Sequence, residues 1–204
     1  MTTLAPTFRL TELPFIPPNT TFNREESFFE FVDGLEQELP PMSADSSVFA
    51  SRLATQLAAY GIKSNLGEAY SEILLRLALP VDRRRRPDVI FIPYSVWSKN
   101  RAIPITNTWD VLPSLSVEVV SPNDLADEIR TKVEEYLTSG VRLVWVVYPR
   151  LRLVDVYEPA GLCRVVRFAD ILDGGDVLPG FKLTIDDIFP KTEEPEPAEP
   201  QATG

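Results

Sequence analysis

The stretch Leu115–Val147, LSVEVVSPNDLADEIRTKVEEYLTSGVRLVWVV, decides the fold. Leu115–Val120 is a short apolar strand broken by a single charge, Glu118. Ser121-Pro122-Asn123-Asp124 is a helix-start signal, with Ser at the cap, Pro just inside it and an acid in the first turn. The helix runs to about Ser139 and stops at Gly140. Val141–Val147 is the most apolar run in the chain. Strand, helix and second apolar strand, in that order, predict a right-handed βαβ unit around a buried parallel pair.

Outward from that unit, Pro87-Asp88-Val89-Ile90-Phe91-Ile92 reads as another short, largely apolar strand. Ala69–Leu79 reads as a strand in which Ile73, Leu75, Leu77 and Leu79 alternate with Leu74, Arg76 and Ala78. A helix over roughly Ser46–Tyr60 carries the stripe Phe49, Leu53, Leu57 and Tyr60, and Gly61 sits where a C-terminal cap belongs. Before it, Phe28–Val32 and Leu35–Leu39 flank Asp33-Gly34, a strong hairpin signal. After the βαβ unit, strands follow from Leu151 to Tyr157 and over Arg164–Val166, with a turn at Gly174-Gly175. The fold class expected is α/β (α+β mixed), a mixed central β-sheet flanked by helices with an N-terminal hairpin. Residues 1–22 read as a proline-rich extended arm and 23–190 as one domain. Residues 191–204, with one Lys and four Glu among prolines, read as a disordered tail.

Composition excludes much chemistry. None of the 204 residues is histidine, so Ser-His-Asp and Cys-His machinery, a histidine base and imidazole-held zinc are ruled out. One cysteine, Cys163, can form neither an internal disulfide nor a thiolate cluster. Glycine-rich phosphate-binding patterns are absent, so no nucleotide cofactor is expected. No apolar run is long enough to span a membrane, and the N-terminus lacks a signal-peptide pattern; a cytoplasmic protein is expected. The net charge of −10 offers no global field for nucleic acid. Arg83–Arg86 is a local basic strip; it is either a contact for phosphates or a solvated loop. Catalysis has to rest on carboxylates, lysine, arginine, tyrosine or hydroxyls, with a hard metal bound through oxygen.

Three residues fit that requirement. Asp88 opens an apolar strand. Glu118 lies inside one, on the face of Ser116 and Val120, where an ionised carboxylate has to be paired, protonated or bound to a cation. Lys132 falls at the edge of the helix stripe Leu125, Ile129, Val133 and Tyr136, so its amine points towards the sheet. Two carboxylates and a lysine at one sheet end suit phosphodiester cleavage: the acids hold Mg²⁺ or Mn²⁺, and the lysine steadies charge on the phosphate. Plainer roles stay open for each. Asp88 could be a turn residue, Glu118 could pair with Arg86 or Arg142, and Lys132 could pair with Glu128 at i−4.

Four motifs stand in order along the chain: Arg86-Pro87-Asp88-Val89-Ile90-Phe91, Val117-Glu118-Val119-Val120-Ser121-Pro122, Lys132 with Glu135-Tyr136-Leu137, and Gly140-Val141 before Val144-Trp145-Val146-Val147. Taken together they resemble the Uma-two endonuclease family of the PD-(D/E)XK, restriction-endonuclease-like superfamily. The hairpin Glu30–Gly34 and Gly174–Phe181 add to the match, which covers about residues 25–190. The resemblance implies a mixed-sheet nuclease core and Mg²⁺-dependent DNA cleavage by a metal-activated water. It implies Asp88 and Glu118 as metal-binding acids, Lys132 as their catalytic partner on the following helix, and Glu30 as an additional site acid. The superfamily's usual lysine would fall on Val120. A histidine common near the start of the first long helix is replaced by the neighbourhood Ser46, Ser47 and Val48, and a frequent aspartate after the Trp-Val-Val strand is Tyr148. Arg84 and Arg86 are the candidate phosphate contacts. DNA is the expected partner and a homodimer the expected assembly. The alternative reading is a catalytically inactive nuclease-like fold that binds nucleic acid or protein.

Overall fold

Asp33 and Gly34 both adopt positive φ, 53° and 76°, which is what a two-residue hairpin between right-twisted strands requires. They join β1 (Phe29–Val32) to β2 (Leu35–Glu38), with Val32 opposite Leu35. The computed structural model describes residues 28–167 and 169–189. The expected arm and tail lie outside the described residues.

The chain continues through α1 (Ala44–Lys63), β3 (Gly67–Ser71), β4 (Leu75–Arg76), β5 (Arg84–Arg85), β6 (Val89–Pro93) and β7 (Leu115–Val119). It closes with α2 (Ala126–Ser139), β8 (Leu143–Tyr148), β9 (Leu153–Glu158), β10 (Leu162–Val166), β11 (Ile171–Gly174), β12 (Leu178–Thr184) and the short α3 (Ile185–Ile188). A mixed six-stranded sheet, ordered β10-β9-β8-β7-β6-β3, forms the centre, and β2-β1-β5-β4 make a smaller second sheet. β7 and β8 are the expected parallel pair, with Glu118 opposite Val146, and α2 connects them. β7 and β8 are buried on both faces, which explains their near-continuous apolar sequence. One face packs Phe91, Val117, Trp145 and Val147 against Phe49, Leu53 and Leu57 of α1 and against the β11–β12 hairpin. The other packs Ile90, Val144 and Val146 against Ile129, Val133 and Tyr136 of α2.

Four local expectations are corrected. First, α1 runs past Gly61 to Lys63, and its C-terminal residue group is closed at Ser64, whose N–H donates to the Tyr60 carbonyl. Gly61 serves close packing instead of a cap: a Cβ there would stand 2.5 Å from the Phe91 ring and 2.7 Å from the Gly67 carbonyl oxygen. Gly61→Ala is therefore expected to destabilise the fold by about 1–3 kcal/mol, the range for overpacking. Denaturant unfolding checks this, since a wild-type midpoint would mean that α1 is not seated as described. Second, Ala69–Leu79 is not one strand. Glu72 turns to φ 54°, so β3 stays in the large sheet and β4 enters the small one.

Third, α2 starts at Ala126, one turn later than its signal. Ser121-Pro122-Asn123-Asp124 forms a separate turn, in which Asp124 N–H donates to the Ser121 carbonyl and the Asp124 carboxylate accepts from Ser121 N–H at 2.7 Å. Fourth, Pro149–Leu151 is a single 3-10 turn closed by Arg152 at φ 51°, so β9 begins at Leu153. Gly140, at φ 103°, does end α2 as expected.

Candidate active-site cleft

β6 and β7 are antiparallel, with Val89 opposite Val117. One further step of that register sets Asp88 opposite Glu118, at the edge of a cleft of about 310 Å³. The cleft is lined by Asp88, Glu118, Lys132 and Arg86, by the Ser121–Asp124 turn, and by the segment from Leu39 to Ser43 that leads into α1. Val119 N–H donates to Asp88 Oδ2 at 2.5 Å and fixes that carboxylate against the end of β7. Glu118 is buried; Tyr136 Oη donates to its Oε1 at 2.5 Å and Lys132 Nζ to its Oε2 at 3.1 Å. Neither arginine named as its plainer partner pairs with it, and Lys132 turns away from Glu128 towards the sheet.

Glu30, from β1, is also buried, but it stands behind Lys132 and does not line the cleft. Lys132 Nζ lies 3.3 Å from Glu30 Oε1; that oxygen also accepts from Arg86 N–H at 2.9 Å, and Oε2 accepts from Arg85 Nη1 at 2.7 Å. Arg85 Nε then donates to Glu135 Oε2 at 2.6 Å, and Arg83 links Glu135 Oε1 (3.2 Å) to Asp33 (2.9 Å). A continuous chain of opposite charges thus runs from the hairpin turn to the cleft. The run Arg83–Arg86 is not a solvated loop. Arg83 and Arg85 point inward to acids. Arg84 is held in a fork by Asp82, at 3.1 and 2.8 Å, away from the cleft. Only Arg86 of the two candidate phosphate contacts reaches the cleft.

The electrostatics follow from burial and proximity. Burial, reinforced by the charge of Glu118, pushes the Asp88 carboxyl well above its ordinary value. Burial pushes Glu118 up as well, and the attraction of Lys132 offsets only part of this. For Lys132, burial would favour the neutral amine, but Glu118, Glu30 and Asp88 outweigh it and hold the ammonium form. For Glu30, burial is overcome by Lys132, Arg85 and the Arg86 N–H, so its carboxyl sits below the ordinary value. Three cations, Arg83, Arg85 and Lys132, serve four carboxylates, Asp33, Glu135, Glu30 and Glu118; Asp88 stands beside them with no ion pair among the described residues. The upward shifts of both carboxyls mark Asp88 and Glu118 as the pair short of positive charge.

That pair suits a hard divalent cation, which would relieve both the mutual repulsion and the burial of two acids. Among the described residues no group of three or more His, Cys, Asp or Glu side chains could hold a metal ion. This donor set is too small for a calcium cage, but it matches a cation held by one or two carboxylates, with water and phosphate oxygens completing its shell.

Ser46, in the neighbourhood where the resemblance led one to look for histidine, is buried behind the cleft lining and not part of it. It shares hydrogen bonds with Ser43 and Ser121, at 2.8 and 3.0 Å.

The model of the Uma2 family, described as "Putative restriction endonuclease", matches residues 12–186. The chain belongs to the Uma2 family. Among solved structures, it resembles the crystal structure of "a putative nuclease belonging to DUF820 from Anabaena variabilis", with a TM-score of 0.70 and 18% identity over 79% of this chain and 89% of that one. That likeness shows that this Uma2 member shares the fold of that structure. No curated protein matches it. No helix among the described residues is long and apolar enough to cross a membrane.

Sequence reasoning brought Asp88, Glu118, Lys132 and Arg86 to one cleft. It overlooked Arg85, Glu135 and the polar role of Tyr136. A signal existed for each. Glu135 and Tyr136 lie three and four residues after Lys132 and so share its helix face. An arginine run read as a strand would have sent Arg83 and Arg85 to one side.

Proposed function

We propose that this Uma2 protein is a divalent-cation-dependent endonuclease that hydrolyses phosphodiester bonds of DNA. The observation that carries the proposal is the Asp88–Glu118 pair, the first half-buried and the second buried, opposed across two strands at the rim of a cleft and short of positive partners. Family membership supports nuclease chemistry in general. Asp88 and Glu118 would hold Mg²⁺ or Mn²⁺, which when bound supplies charge neutralisation at the phosphate and a lower pKa for water. Lys132 has a distinct part. Fixed between Glu118 and Glu30 as an ammonium, it does not take up a proton from water; it supplies positive charge next to the reacting phosphate. Val119 N–H orients Asp88, and Tyr136 Oη orients Glu118, so both acids are set before substrate arrives.

Nicking of supercoiled plasmid tests this. Purified protein is expected to nick with Mg²⁺ or Mn²⁺ and to stop with chelator. Asp88→Asn keeps an oxygen able to accept from Val119 N–H, so it should fold normally. Its rate should nevertheless fall about 100-fold or more, the scale of losing several kcal/mol of charge stabilisation. A variant as fast as wild type, or wild type without cation-dependent nicking, would refute the proposal; DNA binding that persisted without cleavage would point to a binding module on a nuclease fold.

A further inference from the structure

The four arginines at 83–86 do not share one fate. Arg83 and Arg85 are consumed by Asp33, Glu30 and Glu135, and Arg84 by Asp82. Arg86 differs in one decisive respect: it makes no ion pair among the described residues, although it lines the cleft beside Asp88, Glu118 and Lys132. Its Nη1 donates to the Glu72 carbonyl at 2.6 Å, but its buried Nε has no hydrogen-bond partner among the described residues. And its guanidinium packs against the rings of Phe28 and Phe29, 5.2 and 5.9 Å from their centroids, so its plane is held by stacking and one strong bond.

A half-buried guanidinium with a donor left over and no direct ion pair among the described residues is costly in isolation. Burial accordingly lowers its pKa, with Glu72 and Glu30 opposing from nearby. Nε is closed off from solvent and Nη1 is taken by the Glu72 carbonyl, so Nη2 is the guanidinium nitrogen left open to a phosphate oxygen. Lys132 cannot serve that purpose equally, since Glu118 and Glu30 already claim its charge.

We infer that Arg86 is the phosphate-binding residue of the cleft, holding non-bridging oxygens of a nucleic-acid phosphodiester at the rim of the Asp88–Glu118 pair, while Arg83, Arg84 and Arg85 are structural. This rests on the nuclease reading for its substrate but not for its geometry. On this reading an acidic protein engages a polyanion through oriented cations at the cleft rather than a basic surface, and Arg86 sets the register of the strand.

The test uses the full chain, a short labelled DNA duplex and Ca²⁺ in place of Mg²⁺, with anisotropy recorded over a range of salt. Arg86→Ala should bind about tenfold more weakly, as expected for one charged hydrogen-bond contact, and should lower the salt slope by about one. Arg86→Lys should recover most of the slope, because it keeps the charge. Arg84→Ala should match wild type in both. The competing possibility is that Arg86 merely braces the Glu72 turn. It predicts a lower melting temperature for Arg86→Ala and Arg86→Lys alike, with an unchanged slope, and that result would overturn the inference. If such variants bound normally while wild type still nicked plasmid, the inference alone would fall. If binding depended on Arg86 but no cation supported nicking, the inference would stand and the catalytic reading would fall. A wild-type chain that bound no duplex would overturn the inference.

Discussion

Glu118→Gln is expected to reduce cation-dependent DNA cleavage by about a thousandfold or more while leaving the protein folded. The substitution is nearly isosteric, and its oxygen can still accept from Tyr136 Oη, now 2.5 Å away. The other terminal atom becomes an amide nitrogen facing Lys132 Nζ, at the position where a carboxylate oxygen stood 3.1 Å off. Two donors then confront each other, but Lys132 keeps Glu30, so the ammonium is not stranded. Burial of an uncharged amide removes the penalty that raises the Glu118 carboxyl, which offsets part of the lost attraction. Stability should therefore change little. Activity should not survive, because one of only two acids at the cation site has lost its charge; several kcal/mol of transition-state stabilisation, at tenfold per 1.36 kcal/mol, gives the magnitude. The measurements are initial nicking rates and Mn²⁺ binding followed by calorimetry. A variant that bound Mn²⁺ and cleaved within a few-fold of wild type would show that Glu118 is only a buried partner for Lys132.

How far the sequence exposed this site depended on the range of the interactions involved. The βαβ unit was legible because its signals are local: two apolar runs, a stripe at helical spacing and Gly140 as a stop. Glu118 and Lys132 came with it, since the strand face and the helix edge follow from periodicity alone. Asp88 was legible as an acid at the start of an apolar strand, but its place opposite Glu118 depends on an antiparallel register that no spacing reveals. The break at Glu72 was hidden because the alternation that suggested one strand lies after it and was coincidental: Leu74, Leu75 and Leu77 are all buried. Similarly, the late start of α2 reflects competition: the Asp124 carboxylate takes Ser121 N–H and closes a turn, where the Ser121 side chain had been expected to cap a helix. The arginines were the least legible. Their charge suggested solvent, yet Arg85 is buried, because its acids come from β1 and α2, 55 and 50 residues away in sequence.

Glu30 ties those distant elements together, and Glu30→Gln is expected to destabilise the protein by about 3 kcal/mol at neutral pH. Removing one member of a buried ion pair costs about 3–5 kcal/mol, because it strands the other. The lower end applies here: Arg85 retains Glu135, and Lys132 retains Glu118. At about 2–4 °C per kcal/mol for a domain of this size, the melting temperature should fall by roughly 6–12 °C. The pH dependence separates charge from packing. Burial alone would raise the Glu30 carboxyl, but Lys132 and Arg85 draw it below its ordinary value. A carboxyl that is lower in the folded than in the unfolded state stabilises fully above the unfolded value, about 4.3, and loses that contribution as pH falls through the folded value. The gap between wild type and Glu30→Gln should therefore be widest near neutrality and shrink steadily in acid below about pH 4. Thermal unfolding of both proteins over that range measures it. A gap that stayed constant into acid would mean that Glu30 acts through shape and its bond from Arg86 N–H, and the chain of charges from the hairpin to the cleft would carry none of the stability assigned to it. Glu30→Gln paired with Arg85→Ala in a double-mutant cycle gives an independent answer, since residues in contact within such a network should couple by about 0.5–3 kcal/mol.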